Sequence, residues 1–416
     1  MQEVYWNKPP SWDVIRATYN FQGATPTALE GAFRALLERY PVLCASFRMV
    51  NGALAVDTNP PSRFNLQIAS HPMDGGTALS ISEEFFEQPI RMSDPWVLRA
   101  KLLCRLTAVT LLIKVHHSVC DAASLAIMKR EIGNFLATGS LDGKSGKERR
   151  KNALDFYGYA RWERSWFLGQ GGRAVAAYWR EWLRDIPSLL TPSTRREVTS
   201  VPGHKVIYSC FLPSGIREKL LGVAARFTST MFFVMLTAFA LAICEWSGQR
   251  RFAVRSIGNL RTTPELVSVV GVLLCADPLE VCVPRDMGFV GLLRALSSEY
   301  LCSLKLRFPM NRANIGINEE EFDAKIGPTI NYLNDSQPSP ISSPQKANNE
   351  DSVWPEEVSV GTPIRWDYAL RPILLYATEI DSGLMIRFEI NNALISEREG
   401  KGLVHGFLAV LKAQCS

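Results

Sequence analysis

Hydrophobic positions recur along this chain with two alternating periods, and the alternation sets out its elements. Val14–Phe21 alternates in the manner of a half-buried strand. Thr25 then offers a helix N-cap and Pro26 a first-turn proline. Ala28, Leu29, Ala32, Phe33, Leu36 and Leu37 follow at helical spacing, and Pro41 ends that helix. Cys44–Val50 and Ala53–Val56 predict a hairpin about Asn51-Gly52. A second helix ends at Phe85 and Phe86, before Pro89. Leu98–Leu103 and Leu106–Val115 read as strands. The latter is almost wholly apolar or β-branched, so it belongs at the centre of a sheet. It runs into His116-His117, and after Asp121 the period is helical again through Phe135.

Gly139–Arg150 is polar and basic and reads as a loop. Ala160–Asp185 is Trp-rich with helical spacing and leads into a second α/β unit. That unit comprises a strand (Val206–Leu212), a helix (Ile216–Phe227) and a long apolar helix (Ser229–Trp246). Strands follow at Phe252–Ser256, Glu280–Val283, Thr329–Leu333, Ile373–Ile380 and Leu384–Ile390, and a final helix at Ser396–Lys412. Asn334–Pro363 is rich in Ser, Pro, Asn and Glu and predicts a long exposed loop. The fold class is α/β with mixed sheets. The expected domains are 1–160 and 161–416, with a flexible loop at 334–363.

Composition narrows the function. The 416 residues, 47% hydrophobic and 21% charged, exclude a disordered or disulfide-scaffold chain. The net charge of +5 carries no concentrated Lys/Arg run, which argues against nucleic acid. Nine cysteines, with no Cys-x-x-Cys pair, read as free thiols in a reducing compartment. The N-terminus lacks a basic region followed by an apolar core. The longest apolar run, Met231 to Trp246, is shorter than a bilayer span needs. The expectation is therefore a cytoplasmic protein with no membrane association.

Candidate chemistry concentrates at one place. Among five histidines, two are adjacent, in His116-His117-Ser118-Val119-Cys120-Asp121. Neighbouring strand residues point to opposite faces, so one histidine faces a cavity while the other packs. A turn can bring Asp121 back under the ring or the backbone, fixing the orientation a general base requires. A hydrogen-bonded core histidine is the bland alternative. No metal is expected, because adjacent strand histidines diverge and no third ligand is near. Gly139–Ser145 imitates a phosphate loop but has three residues between its glycines instead of four. Gly169-Gln170-Gly171-Gly172 likewise lacks dinucleotide-loop spacing.

His116-His117-x-x-x-Asp121 resembles the signature of the HHxxxD acyltransferase superfamily, which holds condensation domains of the nonribosomal peptide synthetase type. Flanking segments resemble it in order. They include Arg39-Tyr40-Pro41-Val42-Leu43, Gln88-Pro89-Ile90, Pro95–Ala100, Tyr178–Leu183, Thr228-Ser229-Thr230, Gly248-Gln249, Arg261 with Pro264-Glu265-Leu266, Val270-Gly271 and Ile330–Leu333.

The resemblance implies two chloramphenicol acetyltransferase-like lobes as a V-shaped pseudodimer with a tunnel between them. It implies a free-standing, monomeric condensation enzyme that joins an acyl thioester to a small-molecule amine or alcohol. The donor would be phosphopantetheine borne on an acyl or peptidyl carrier protein, or CoA, with no tightly bound cofactor. His117 would be the catalytic base, His116 its companion, and Asp121 a structural residue paired with an arginine. Two positions depart from the pattern. Ala122 stands where the family has Gly, and Cys44 where it has the usual arginine partner of the aspartate. Arg39, Arg48 or Arg99 would then have to pair with Asp121. The alternatives are a CoA-dependent O-acyltransferase, for which Arg149, Arg150 and Lys151 are candidate contacts, and a catalytically silent recruitment domain.

Overall fold

The computed structural model describes residues 14–69, 75–104, 108–142, 154–198, 203–306, 322, 325–334, 354–355, 358–361, 364–366, 372–380 and 382–415. They form two compact units. The first is built on residues up to Ser165 together with Asn259–Leu274; the second takes Trp166–Gly258 and the described residues from Cys275 onward. The expected division into 1–160 and 161–416 missed the return of Asn259–Leu274 to the first unit. The cause is local: Arg261, Gly271 and Leu273 are hydrogen-bonded to residues 121–124.

In the first unit, strand β1 (Val14–Gln22) leads to helix α1 (Pro26–Arg39). Thr25 Oγ1 caps α1 by accepting from the Ala28 N–H at 3.2 Å, and its apolar stripe is buried. Strands β2 (Ala45–Val50) and β3 (Ala53–Thr58) form a separate hairpin. Asn51 and Gly52 both take left-handed backbone (φ 51° and 78°), as the two-residue turn demands. Strand β4 (Gln67–Ala69), helix α2 (Gly75–Glu87) and strands β5 (Leu98–Cys104) and β6 (Ala108–His116) complete the sheet. Its order is β1-β6-β5-β4, with β4 and β5 parallel and the other pairs antiparallel. β6 is central, and every one of its residues is buried. Val109, Leu111, Ile113 and Val115 enter the main core with α1 and helix α3 (Ala122–Thr138), while Leu112 meets Phe85 and Phe86 of α2.

The Trp-rich stretch is two helices, α4 (Phe156–Leu168) and α5 (Gln170–Asp185), because Gly169 interrupts it as the N-cap of α5. The second unit continues with β7 (Gly203–Pro213), α6 (Ser214–Arg226), α7 (Met231–Ser247), β8 (Arg251–Asn259), β9 (Leu274–Cys282) and α8 (Phe289–Ser303). Then come β10 (Pro328–Asn334), β11 (Ser359–Val360), β12 (Ile364–Trp366), β13 (Ile373–Ile380), β14 (Gly383–Asn391) and α9 (Glu397–Gln414). Its sheet runs β11-β7-β14-β13-β10-β8-β9, with β12 also on β7. The core joins α7, α9 and the sheet through Phe239, Phe388 and Phe407. Among the described residues, no single helix is long and apolar enough to cross a membrane.

Two expectations change. β9 begins at Leu274, well before the expected Glu280, and carries Pro278 in its interior. It is the edge strand, where a missing N–H is tolerated. Most of the expected loop at 334–363 lies outside the described residues, and Ser359–Val360 within it pairs with β7. Of the polar stretch 139–150, residues 143–150 likewise lie outside the described residues, and so do Arg149, Arg150 and Lys151.

Candidate active site

The site grows out of the end of β6. His116 is the last residue of the strand and 6% exposed. Its Nδ1 accepts the Ser118 backbone N–H at 3.1 Å and lies 3.0 Å from Ser118 Oγ. A ring nitrogen that accepts a backbone N–H has no proton, so His116 keeps its hydrogen on Nε2. His117 is half-buried, and its Nδ1 lies 2.7 Å from the Cys120 carbonyl oxygen. A carbonyl only accepts, so this contact places the proton on Nδ1 and leaves Nε2 with its lone pair. The neighbouring histidines therefore hold opposite tautomers, each set by the 117–120 turn.

Asp121 does not reach the His117 ring, contrary to one of the expected roles; the Cys120 carbonyl orients that ring instead. Asp121 is the N-cap of α3 and fully buried. Arg261 grips its carboxylate with two prongs, Nη1 to Oδ2 at 2.8 Å and Nη2 to Oδ1 at 3.0 Å. The Leu273 N–H donates to Oδ2 at 3.0 Å. The Ser124 N–H and hydroxyl donate to Oδ1 at 2.8 and 2.7 Å. A buried carboxylate is tolerated only when paired and hydrogen-bonded in this way.

Arg261 is thus the partner of Asp121, and Arg39, Arg48 and Arg99 are not. Arg39 pairs with Glu131 and Asp142, Arg48 with Asp57, and Arg99 with Asp94. Sequence separation hid Arg261, which lies 140 residues from Asp121. Ser124 was also missed, although as the third residue of a helix capped by Asp121 it was placed to meet that carboxylate. Neither departure disturbs the site. Ala122 occupies the first position of α3 with its side chain exposed, and its backbone is not left-handed. Cys44 is a buried thiol whose pKa burial pushes up to about 11, so it packs as a small apolar residue.

Lys114, two residues before His116 on β6, is 2% exposed. Its Nζ donates to the carbonyls of Phe86 (2.6 Å) and Gln88 just past α2. Burial first, and then the neighbouring cations Arg16 and Arg99, lower its pKa to about 8. Among the described residues no group of three or more His, Cys, Asp or Glu lies close enough together to hold a metal ion.

A family model described as the condensation domain matches residues 14–415. This chain belongs to the condensation domain family. Condensation domains catalyse amide formation as acyltransferases in synthetases, and their donors are carrier-bound thioesters. The chain is 26% identical over 293 residues to phosphinothricin tripeptide synthetase PhsC of Streptomyces viridochromogenes, covering 68% of this chain and 27% of that protein. It is 22% identical over 401 residues to tyrocidine synthase 2 of Brevibacillus parabrevis, covering 92% of this chain and 10% of that one. It therefore spans about a quarter or less of these curated relatives. Among solved structures, the condensation domain that mediates chain release from the enacyloxin polyketide synthase matches with a TM-score of 0.88. The two are 26% identical, and the match covers 99% of this chain and 80% of that chain. The starter condensation domain of rhizomide synthetase shares the fold at a TM-score of 0.72 and 13% identity, covering 100% and 91% of the two chains.

Proposed function

We propose that this condensation domain transfers an acyl group from the phosphopantetheine thioester of a carrier protein to an amine or hydroxyl of a small-molecule acceptor. The observation that carries this reading is the 2.7 Å contact from His117 Nδ1 to the Cys120 carbonyl, which leaves Nε2 as the basic nitrogen of a half-buried ring. Nε2 takes the proton from the acceptor as it attacks the thioester carbonyl. The new C–N or C–O bond forms, the C–S bond breaks, and the proton passes from the imidazolium to the departing thiolate. His116 packs beneath with the opposite tautomer, and Asp121 acts structurally through Arg261. The net charge of +5 suits an acidic carrier. That Ala122 and Cys44 leave the motif loop intact favours catalysis over a silent recruitment role.

The test is intact-protein mass spectrometry with an acyl-loaded carrier, and separately with acyl-CoA, in the presence of a pool of amines and alcohols. The expected result is carrier unloading that requires an acceptor. Turnover with CoA alone would replace the carrier by CoA as donor. Silence with both donors while the carrier stays bound would overturn the catalytic reading in favour of recruitment.

A further inference from the structure

Ser124 is fully buried on the first turn of α3, and its hydroxyl lies within hydrogen-bond reach of four polar atoms. They are Asp121 Oδ1 at 2.7 Å, Arg261 Nη2 at 2.9 Å, the Gly271 carbonyl oxygen at 2.9 Å and the Gly271 nitrogen at 3.0 Å. A hydroxyl has one proton to give and two lone pairs to fill. The proton goes to the carboxylate, the nearest and most basic acceptor. The lone pairs receive the Gly271 N–H and one Arg261 N–H. The Gly271 carbonyl lies 2.9 Å from Arg261 Nη2, whose two hydrogens are shared among that carbonyl, Ser124 Oγ and Asp121 Oδ1. The proton and both lone pairs of the hydroxyl are then used.

Gly271 is the counterpart on the returning segment. Its φ of 150° lies in the region that favours glycine, and an added Cβ would come within 2.1 Å of the Phe156 ring. The backbone that meets Ser124 can therefore come this close only as glycine. Cys120, whose carbonyl fixes the tautomer of His117, is the residue immediately before Asp121.

We infer that Ser124 is a positioning residue for His117. It ties Asp121, Arg261 and Gly271 into one node, and that node holds the Cys120 carbonyl where it keeps the His117 proton on Nδ1. The assignment of His117 as base rests on the reading above, but the effect on its tautomer does not. Ser124→Ala removes one donor to Asp121 and orphans the Gly271 N–H, so the turn relaxes.

The test reads the side-chain ¹⁵N shifts of His117, assigned by loss of the signal in His117→Ala, in wild type, Ser124→Ala, Ser124→Cys and Ser124→Thr. Cysteine keeps the volume while replacing the hydroxyl with a weak donor, so it stands in if the alanine variant does not fold. Wild type and Ser124→Thr should show protonated Nδ1. Ser124→Ala and Ser124→Cys should show mixed tautomers, and acyl transfer reduced about tenfold or more in kcat with KM little changed. Folded Ser124→Ala or Ser124→Cys with wild-type His117 shifts would overturn the inference. So would fast exchange of the Gly271 amide in the wild-type protein. Normal shifts in wild type with no acyl transfer would overturn the functional reading and leave this one standing.

Discussion

Asp121 has no surface in water, and its charge is balanced by a guanidinium 140 residues away in the chain. Breaking a buried pair on one side strands the other charge. Asp121→Asn is thus expected to destabilise the first unit by about 3–5 kcal/mol in urea unfolding. A loss below about 1 kcal/mol would mean the pair is hydrated, as surface pairs are. His117 is different. It is half-buried, and its Nδ1 meets a backbone carbonyl. At this scale the motif was legible and its wiring was not. The His-His-x-x-x-Asp string declares its residue types, and the buried strand before it declares their place. Whether Asp121 faces a histidine ring or an arginine depends on a segment that joins the first unit only in the folded chain. Propensity and spacing do not encode that.

At the scale of elements, β6 carries its own polar exception in Lys114. Its lowered pKa, about 8 against an ordinary 10.5, gives a definite sign. Between these values the unfolded chain binds the proton and the folded protein does not, so this group adds stability as pH rises from about 8 to 10.5. The stability of wild type minus that of Lys114→Met should therefore increase between pH 7.5 and 10, measured by paired denaturant titrations. A flat difference would contradict the burial argument.

α9 begins with a reciprocal cap. Ser396 Oγ accepts the Glu399 N–H, and the Glu399 carboxylate accepts the Ser396 N–H. Ser396→Ala should cost about 1 kcal/mol of stability. Strands such as β1 and β6 and the helix α1 were legible because burial on one side imposes a clean period. The first half of β9 is hidden in the sequence because Asp277 and Pro278 interrupt its apolar pattern. α8, absent from the sequence-based expectations, nonetheless buries Phe289, Leu292, Leu293 and Leu296 at helical spacing.

At the scale of the whole molecule, the chain leaves the second unit after Gly258 and re-enters it at Cys275. The intervening residues are bonded to the start of α3 through Arg261, Gly271 and Leu273. In native-state hydrogen exchange, the amides of 259–274 should open together with those of α3, and Arg261→Ala should speed both equally. Independent opening of 259–274 would contradict the assignment of this segment to the first unit. The α/β class and the two-unit plan were visible in the repeated order of strands and helices. The return was not, because its residues carry no period.

If His117 Nε2 removes the acceptor's proton, single-turnover unloading of an acyl-carrier depends on it directly. Wild type and His117→Ala, each checked for an unchanged unfolding midpoint, would be mixed with loaded carrier and acceptor and followed by intact mass. His117→Ala should lose about 10²–10⁴-fold in rate, the range for a lost general base. A rate within a few-fold of wild type would contradict that role.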